Sequence, residues 1–436
     1  MKLKRYGIVA ASLLFMQPLY LSAETLTEAV NVVIKTNPNV LASINERQAV
    51  AEEVKQAQAG YLPTVDLTIG TGWEMTDSPA TQGEVHLNRD EASIQLRQML
   101  FDGMQTKNEV RRQTARTDSR SYNIVGTAEA KALEAVEAYL NVLRRQKLVD
   151  LAVTNLEAHE RTHDQIKLRS EYGVGRKADM DQSEGRLALA KANLVAEQSN
   201  LADAEIIYSR VVGIEAKNLT DPASPRSLLP ETLDEAIALA LENHPVLKSA
   251  TADVESSNAQ YETSKAAFFP RVDFELGTTA NNDIDGINGN NKDVTAMFRL
   301  RYNLLNGGRD SARREQTAYL INQATEIRNN THRQVEESTR LSWNALQTVD
   351  RQKSYFELHV ESSKRSRDAY QQQFNLGQRT LLDLLDSENE VFVASQAYVN
   401  SQYDELFALY RILNSMGMLL PSLNVSLPEE SAIVSN

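Results

Sequence analysis

Two hydrophobic spacings alternate along the chain, one with a period near 3.6 and one with a period of 2. Residues 24–60 carry the helical spacing, with Pro38 setting a bend or an N-terminal boundary near the start. At Tyr61-Leu62-Pro63 the period switches. Val65, Leu67, Ile69, Thr71 and Trp73 alternate with Thr64, Asp66, Thr68 and Gly70, which predicts a strand over Thr64–Trp73 with one apolar face. Residues Thr76–Asn88 read as a polar loop, and a second alternating run, Ser93–Phe101, ends at Asp102-Gly103. From Met104 to about Glu171 there is no proline, and Leu133, Val136, Leu140, Leu143, Val149, Val153 and Leu156 recur at helical spacing. A helix of that span is roughly 100 Å long, too long for the interior of a compact domain. Tyr172-Gly173-Val174-Gly175 interrupts it, a returning helix is predicted from Ala178 to about Val212, and the proline-bearing residues 213–231 read as a linker.

The plan then repeats. Thr25/Thr232, Leu26/Leu233, Glu28/Glu235, Pro38/Pro245, Pro63/Pro270, Asp66/Asp273 and Gly70/Gly277 coincide at one offset, 232 − 25 = 207, without a gap. Helix Leu233–Ala267 leads to strand Arg271–Ala280, a loop Asn281–Asp293 and strand Val294–Leu305, closed by Asn306-Gly307-Gly308. A second long helix runs to Phe374, turns at Asn375-Leu376-Gly377, and returns through Leu406, Leu409, Leu413, Met416 and Leu420, the 3, 4, 3, 4 steps of a coiled-coil seam. The predicted units are an export signal at 1–23, repeats at 24–221 and 222–420, and a disordered tail at 421–436.

The signal reading rests on Lys2, Lys4 and Arg5, the apolar run Ile8–Phe15, and Leu21-Ser22-Ala23 as a cleavage site. That run is too short to span a bilayer, and no later window offers about 20 apolar residues. Without the signal's three cations the formal charge becomes −13 − 3 = −16, which disfavours a nucleic-acid partner. The sequence has no cysteine, so disulfides, thiol catalysis and cysteine-held zinc are excluded and a lipid anchor is not expected.

Four strands of about ten residues match the tilted span of a bilayer's hydrocarbon layer. Their edge amides cannot be left unpaired in lipid, so the chain must close a barrel with other copies. Arg97, Arg299 and Arg301 are placed on the lumen side, because an arginine facing lipid costs about 2–4 kcal/mol at mid-membrane. The long paired helices need neighbours along their whole length, and packing them around an axis makes a tube.

These residues resemble the TolC-like outer-membrane channel family across nearly all of the chain after the signal. The likeness lies in the twofold repeat, the YLP and FFP helix-to-strand steps, the FDG and LNG strand exits, the two glycine tips and the run Gly377-Gln378-Arg379-Thr380-Leu381-Leu382-Asp383-Leu384-Leu385-Asp386. The resemblance implies a mainly α fold with a membrane β-barrel. Long antiparallel coiled-coil helices would form a periplasmic α-barrel, and four strands per protomer would enter one twelve-stranded barrel shared by a homotrimer. It implies that Asp383 and Asp386 ring the closed periplasmic aperture, where crowded carboxylates raise each other's pKa and attract cations. Arg379, Phe374 and Asp181 match residues that hold the aperture shut, with Phe374 lacking the hydroxyl of the more usual tyrosine. Gly173, Val174, Gly175 and Arg176, with Leu376, Gly377 and Gln378, match the surface that meets a periplasmic adaptor. The implied partners are that adaptor, an inner-membrane ABC transporter or other exporter, and outer-membrane lipid. The implied function is an exit duct for type I secretion of proteins, including large surface adhesins. Small-molecule efflux is the alternative within the class, and a free-standing porin would have no need of the long helices.

One motif points elsewhere. His159-Glu160-Arg161-Thr162-His163 fits the H-E-x-x-H helix of zinc hydrolases. Catalytic zinc needs a third protein ligand and a concave pocket, and the motif sits mid-helix in a coiled coil. It reads as two exposed histidines, with no catalytic residue, metal or cofactor expected. The Asn/Asp-rich stretch Asn281–Asp293 lacks the spaced ligands of an EF-hand and reads as an exposed loop.

Overall fold

The computed structural model describes residues 24–433, so the predicted export signal lies outside the described residues. The elements run α1 (Leu26–Thr36), α2 (Pro38–Ala59), β1 (Thr64–Ser78), β2 (Gly83–Phe101), α3 (Gln105–Glu171) and α4 (Lys177–Val212). The second half follows with α5 (Leu233–Asn243), α6 (Pro245–Ser264), β3 (Arg271–Ile284), β4 (Ile287–Arg301), α7 (Arg309–Asn375), α8 (Leu381–Ser415) and the short α9 (Leu419–Ser422). The 207-residue offset is visible in local chemistry. Thr25 and Glu28 form a capping box at α1, and Thr232 and Glu235 form the same box at α5. Asn37 and His244 are extended because a proline follows each, and Pro38 and Pro245 start the next helices.

Helices α3 and α7 have 67 residues each, roughly 100 Å of rod. Toward the sheet α2 and α6 pack beside them, and toward the opposite end α4 and α8 do. The outer flanks stay open: Val195 and Ile206 on α4, and Ile327 and Leu341 on α7, are large apolar side chains exposed to solvent. The main core lies at mid-length, where Val136, Tyr139 and Leu140 of α3 meet Leu409, Leu413 and Leu420 from the predicted seam. The linker is strapped to this core. The Tyr139 hydroxyl lies 2.7 Å from the Thr220 carbonyl and accepts from the Thr220 amide at 3.0 Å, and Tyr403 donates to Asp221 at 3.0 Å.

The four strands form one antiparallel sheet in the order β1-β2-β3-β4. One face carries Val65, Leu67, Ile69, Val294, Phe298 and Leu300, all exposed, with Phe298 at 75% and Leu300 at 64%. The strands reach farther toward the hairpin turns than alternation alone indicated, while β4 stops at Arg301, short of the expected Leu305. Thr76–Ser78 and Gly83–Asn88 are paired strand, as are Asn281–Ile284 and Ile287–Asp293, so each predicted loop shrinks to a tight turn. Beyond the lipid both sheet faces meet water, so period-2 patterning vanishes while the ladder continues.

Residues 421–433 of the tail are packed against the helices, where disorder was expected. Leu419, Leu420, Leu423 and Val425 are buried, and the Ala432 carbonyl accepts from Arg47 and Ser121 at 3.2 Å each. Glu129 of α3 anchors it, accepting from the amides of Leu419 at 3.2 Å and Leu420 at 3.0 Å and from the Asn414 side chain. Burial pushes the Glu129 carboxyl up to about 7 against the lowering effect of these donors.

At the exit of β2, Gly103 has φ +69, and a Cβ there would stand 2.8 Å from the Ala266 carbonyl and 2.9 Å from the Phe269 Cβ. The β2 exit of the first half is thus pressed onto the helix-to-strand step of the second. Its counterpart Gly307, φ +54, has nothing within 4 Å.

Val294→Arg, on the apolar face, costs about 2–4 kcal/mol of insertion and is expected to abolish heat-resistant oligomer in outer-membrane fractions, whereas Thr295→Arg on the polar face leaves it intact. Because Glu129 is raised in the folded state, that state binds the extra proton, so stability falls as pH rises from about 4.5 to about 7 and then levels. Detergent-solubilised protein should lose on the order of 3 kcal/mol across this window, read as a lower melting midpoint, and Glu129→Gln should flatten the slope.

Candidate functional site

The end of the rods opposite the sheet carries two turns of one design. Gly173 (φ +76) and Gly377 (φ +75) take the left-handed conformation that ends α3 and α7. The Gly173 amide donates to Ser170 and the Val174 amide to Arg169, at 3.0 Å each. Gly377 donates to Phe374 at 2.9 Å and Gln378 to Gln373 at 2.8 Å, the same paired pattern. Tyr172, Val174 and Leu376 stand outward from these turns, and Gly175, Arg176 and Gln378 are exposed beside them. Three exposed apolar side chains on two rigid turns make a surface suited to a protein partner.

Behind the tips a small apolar cluster joins the two hairpins: Ile166 of α3 meets Phe374 of α7 and Leu381, Leu384 and Leu385 of α8, with Met180 of α4 against them. Phe374 is therefore a buried packing residue, with the Arg169 guanidinium 5.0 Å from its ring centre. The aromatic ring under Arg379 is instead Tyr370, one helical turn earlier, at 4.2 Å. Arg379 also donates to Gln373 at 2.8 Å and lies 3.7 Å from Asp383. Asp181 is exposed on α4, and within the chain it forms no ion pair with Arg379 among the described residues.

Asp383 is the third residue of α8 and closes its capping box, accepting from the Thr380 hydroxyl at 2.8 Å and the Thr380 amide at 3.3 Å. The Thr380 side chain and amide, then Arg379, hold its carboxyl below the usual range. Crowding between copies would act in the opposite sense, so the protomer supplies a carboxylate already biased toward charge. Asp386 accepts from Arg186 of α4 at 2.5 Å, which ties the two hairpins together behind the tips. Arg186 was missed in the sequence because it belongs to no local motif; only its position one turn beyond Gln182 and Ser183 on the facing helix relates it to α8.

The H-E-x-x-H pair departs from the exposed reading. His159 is only 5% exposed, wedged where α3 meets α4, and burial, then nearby Arg186, lowers its pKa. His163 is hydrogen-bonded to Ser183 at 3.0 Å, so the face meant for zinc is spent on helix packing. No group of three metal-binding side chains occurs among the described residues.

At the sheet, Arg97, Arg299 and Arg301 share the polar face. Arg299 pairs with Glu275 at 2.7 Å, Arg301 with Asp273 at 2.7 Å and Glu275 at 2.5 Å, and Arg97 lies 3.5 Å from Glu275. Arg271 joins them, 3.1 Å from Asp273. Of these added members only Asp273 was singled out in the sequence, as half of a repeat pair.

A sheet with a bare apolar face, set on helical rods that end in paired docking turns, defines an outer-membrane duct built from several copies. The sequence profile of the outer membrane efflux protein family matches residues 29–213 and 236–418, one stretch in each repeat, and the chain belongs to that family. It is 26% identical over 400 residues to the outer membrane efflux protein BepC of Brucella suis, covering 91% of this chain and 86% of that one. Against the outer membrane protein TolC of Escherichia coli it is 24% identical over 423 residues, covering 91% and 83%. Against the alkaline protease secretion protein AprF of Pseudomonas aeruginosa it is 22% identical over 414 residues, covering 90% and 84%. The solved structure of the outer membrane protein VceC from Vibrio cholerae superposes with a TM-score of 0.76 at 14% identity, covering 92% of this chain and 97% of that one. The protein is thus an outer-membrane channel with a helical tunnel in the periplasm. Channels of this family form trimers and work with periplasmic adaptors and inner-membrane transporters.

Neutralising both mouth carboxylates, Asp383→Ala with Asp386→Ala, should raise single-channel conductance in planar bilayers several-fold and lower cation selectivity, since the change removes both charge and the tie to Arg186. Unchanged conductance and selectivity would separate these residues from the aperture.

Proposed function

We propose that this channel is the exit duct for type I secretion of proteins, large surface adhesins among them, working with an ABC transporter and its adaptor. The observation that carries the reading is the pair of matched tips, rigid turns presenting Tyr172, Val174 and Leu376 outward beside the Asp383 and Asp386 carboxylates. Such a mouth is built to be seized by a partner and to stay narrow without one. The adaptor docks on Gly173–Arg176 and Leu376–Gln378. Asp383 and Asp386 ring the closed aperture, with Arg379 and Asp181 completing the latch between neighbouring copies and Phe374 bracing the tip from within. Arg97, Arg299 and Arg301 line the bore of the barrel.

The likeness to a protease secretion protein along nearly the whole chain supports protein cargo. A second reading, efflux of small molecules, is favoured by the likeness to BepC. No catalytic step belongs to either.

A deletion strain separates the two. Loss of one large exported protein from the medium or cell surface, with tolerance to dyes and detergents within about twofold of the parent, is the expected outcome; hypersensitivity with a normal secreted set would assign the channel to efflux.

A further inference from the structure

The polar face of the sheet is not neutral at its helix-facing end. Arg97, Arg271, Arg299 and Arg301 stand there against Asp273 and Glu275, giving 4 − 2 = +2 in a chain whose total is −13. Depth matters more than the count. The Asp273 side chain is fully covered and Glu275 is 8% exposed, while the four guanidiniums are 42–49% exposed. The carboxylates lie underneath and orient the arginines, so the solvent meets cations. Asp66 lies one row farther along the same face, in register with Gln95, and counting it leaves the belt at 4 − 3 = +1. The belt continues into a cleft of about 1030 Å³ where sheet and helices meet, whose charged lining is Arg112, Arg271, Arg301, Arg309 and Arg313 against Asp102, Glu109 and Asp310, 5 − 3 = +2, with Arg112 paired to Glu109 at 2.6 Å. Arg309 reaches only Asp310, at 3.9 Å, and Arg313 only the Gln316 side chain, at 2.8 Å. Both guanidiniums are exposed and are held by one weak partner each among the described residues.

We propose that this belt and cleft form an anion-binding vestibule that engages acidic segments of the exported polypeptide as they pass from the helical tunnel into the barrel. The proposal rests on the reading that the polar sheet face lines the bore. Three copies place 3 × 2 = +6 around one ring. Guanidinium forks bind carboxylates in pairs, and a narrow bore with low-dielectric walls concentrates the field. The mouth is acidic and this ring basic, so a passing acidic chain is repelled at the first and held at the second, which disfavours backward slip.

The test uses the purified full-length channel in planar bilayers, with hexa-aspartate added to the chamber facing the sheet end. Transient blockades are expected, weakening as KCl is raised from 0.1 to 1 M and absent with hexa-lysine. Arg309→Gln with Arg313→Gln removes the two most loosely held cations without unpairing Asp273 or Glu275, and should raise the blocking concentration about tenfold. The same block should persist in the Asp383→Ala, Asp386→Ala channel. A channel that conducts but is not blocked, or whose block is unchanged by the arginine substitutions, overturns the vestibule alone. Equal block by citrate overturns the assignment to a peptide segment, and failure to form any channel overturns the duct reading with it.

Discussion

The unpaired edges of a four-stranded sheet govern this molecule. β1 and β4 each present a row of amides and carbonyls with no strand partner among the described residues, next to a face of Val65, Leu67, Ile69, Val294 and Phe298 that only lipid or another apolar surface can cover. In hydrocarbon a lone edge is prohibitively costly, so membrane insertion and assembly are one event. The open helical flanks obey the same logic at lower stakes. Val195 and Ile206 on α4 and Ile327 and Leu341 on α7 are left exposed in the single chain, and neighbouring copies around an axis would cover such flanks.

Rigidity is distributed unevenly along the rods. At mid-length the core is wide, and Tyr139, Tyr403 and Glu129 tie the linker and the C-terminal segment to it through buried hydrogen bonds. At the tips only five buried apolar residues, one cation over a ring and the Arg186–Asp386 pair hold the two hairpins together. Ion pairs as exposed as this one contribute little, about 0–1 kcal/mol. The tip end is therefore the end of the rods that is held least, as the proposed adaptor-driven opening there would require.

The fold was legible because its signals are long. Two 67-residue helices without proline, a gap-free repeat and two proline steps survive any local ambiguity. The strand ends were hidden for a physical reason: outside the bilayer both faces of Asn281–Asp293 meet water, and a polar ladder has the composition of a loop. The tail was hidden because its order depends on Glu129, 290 residues away from Leu419 in sequence. At the mouth, Asp383 was legible as a charge but not as a cap. The sequence did not show that Phe374 packs into the tip cluster while Tyr370, one turn earlier on the same helix, is the ring beneath Arg379. Arg186 had no signal at all, because pairing across two hairpins leaves no spacing to read.

The pressed contact at Gly103 has one more implication. Each chain closes one such joint between its own halves and leaves the matching pieces of a second, Gly307 and the Tyr61-Leu62 step, exposed at opposite edges of the sheet. A neighbouring copy that met these pieces in the same way would repeat a geometry already present inside each polypeptide, so a single molecule would carry the template for its own assembly.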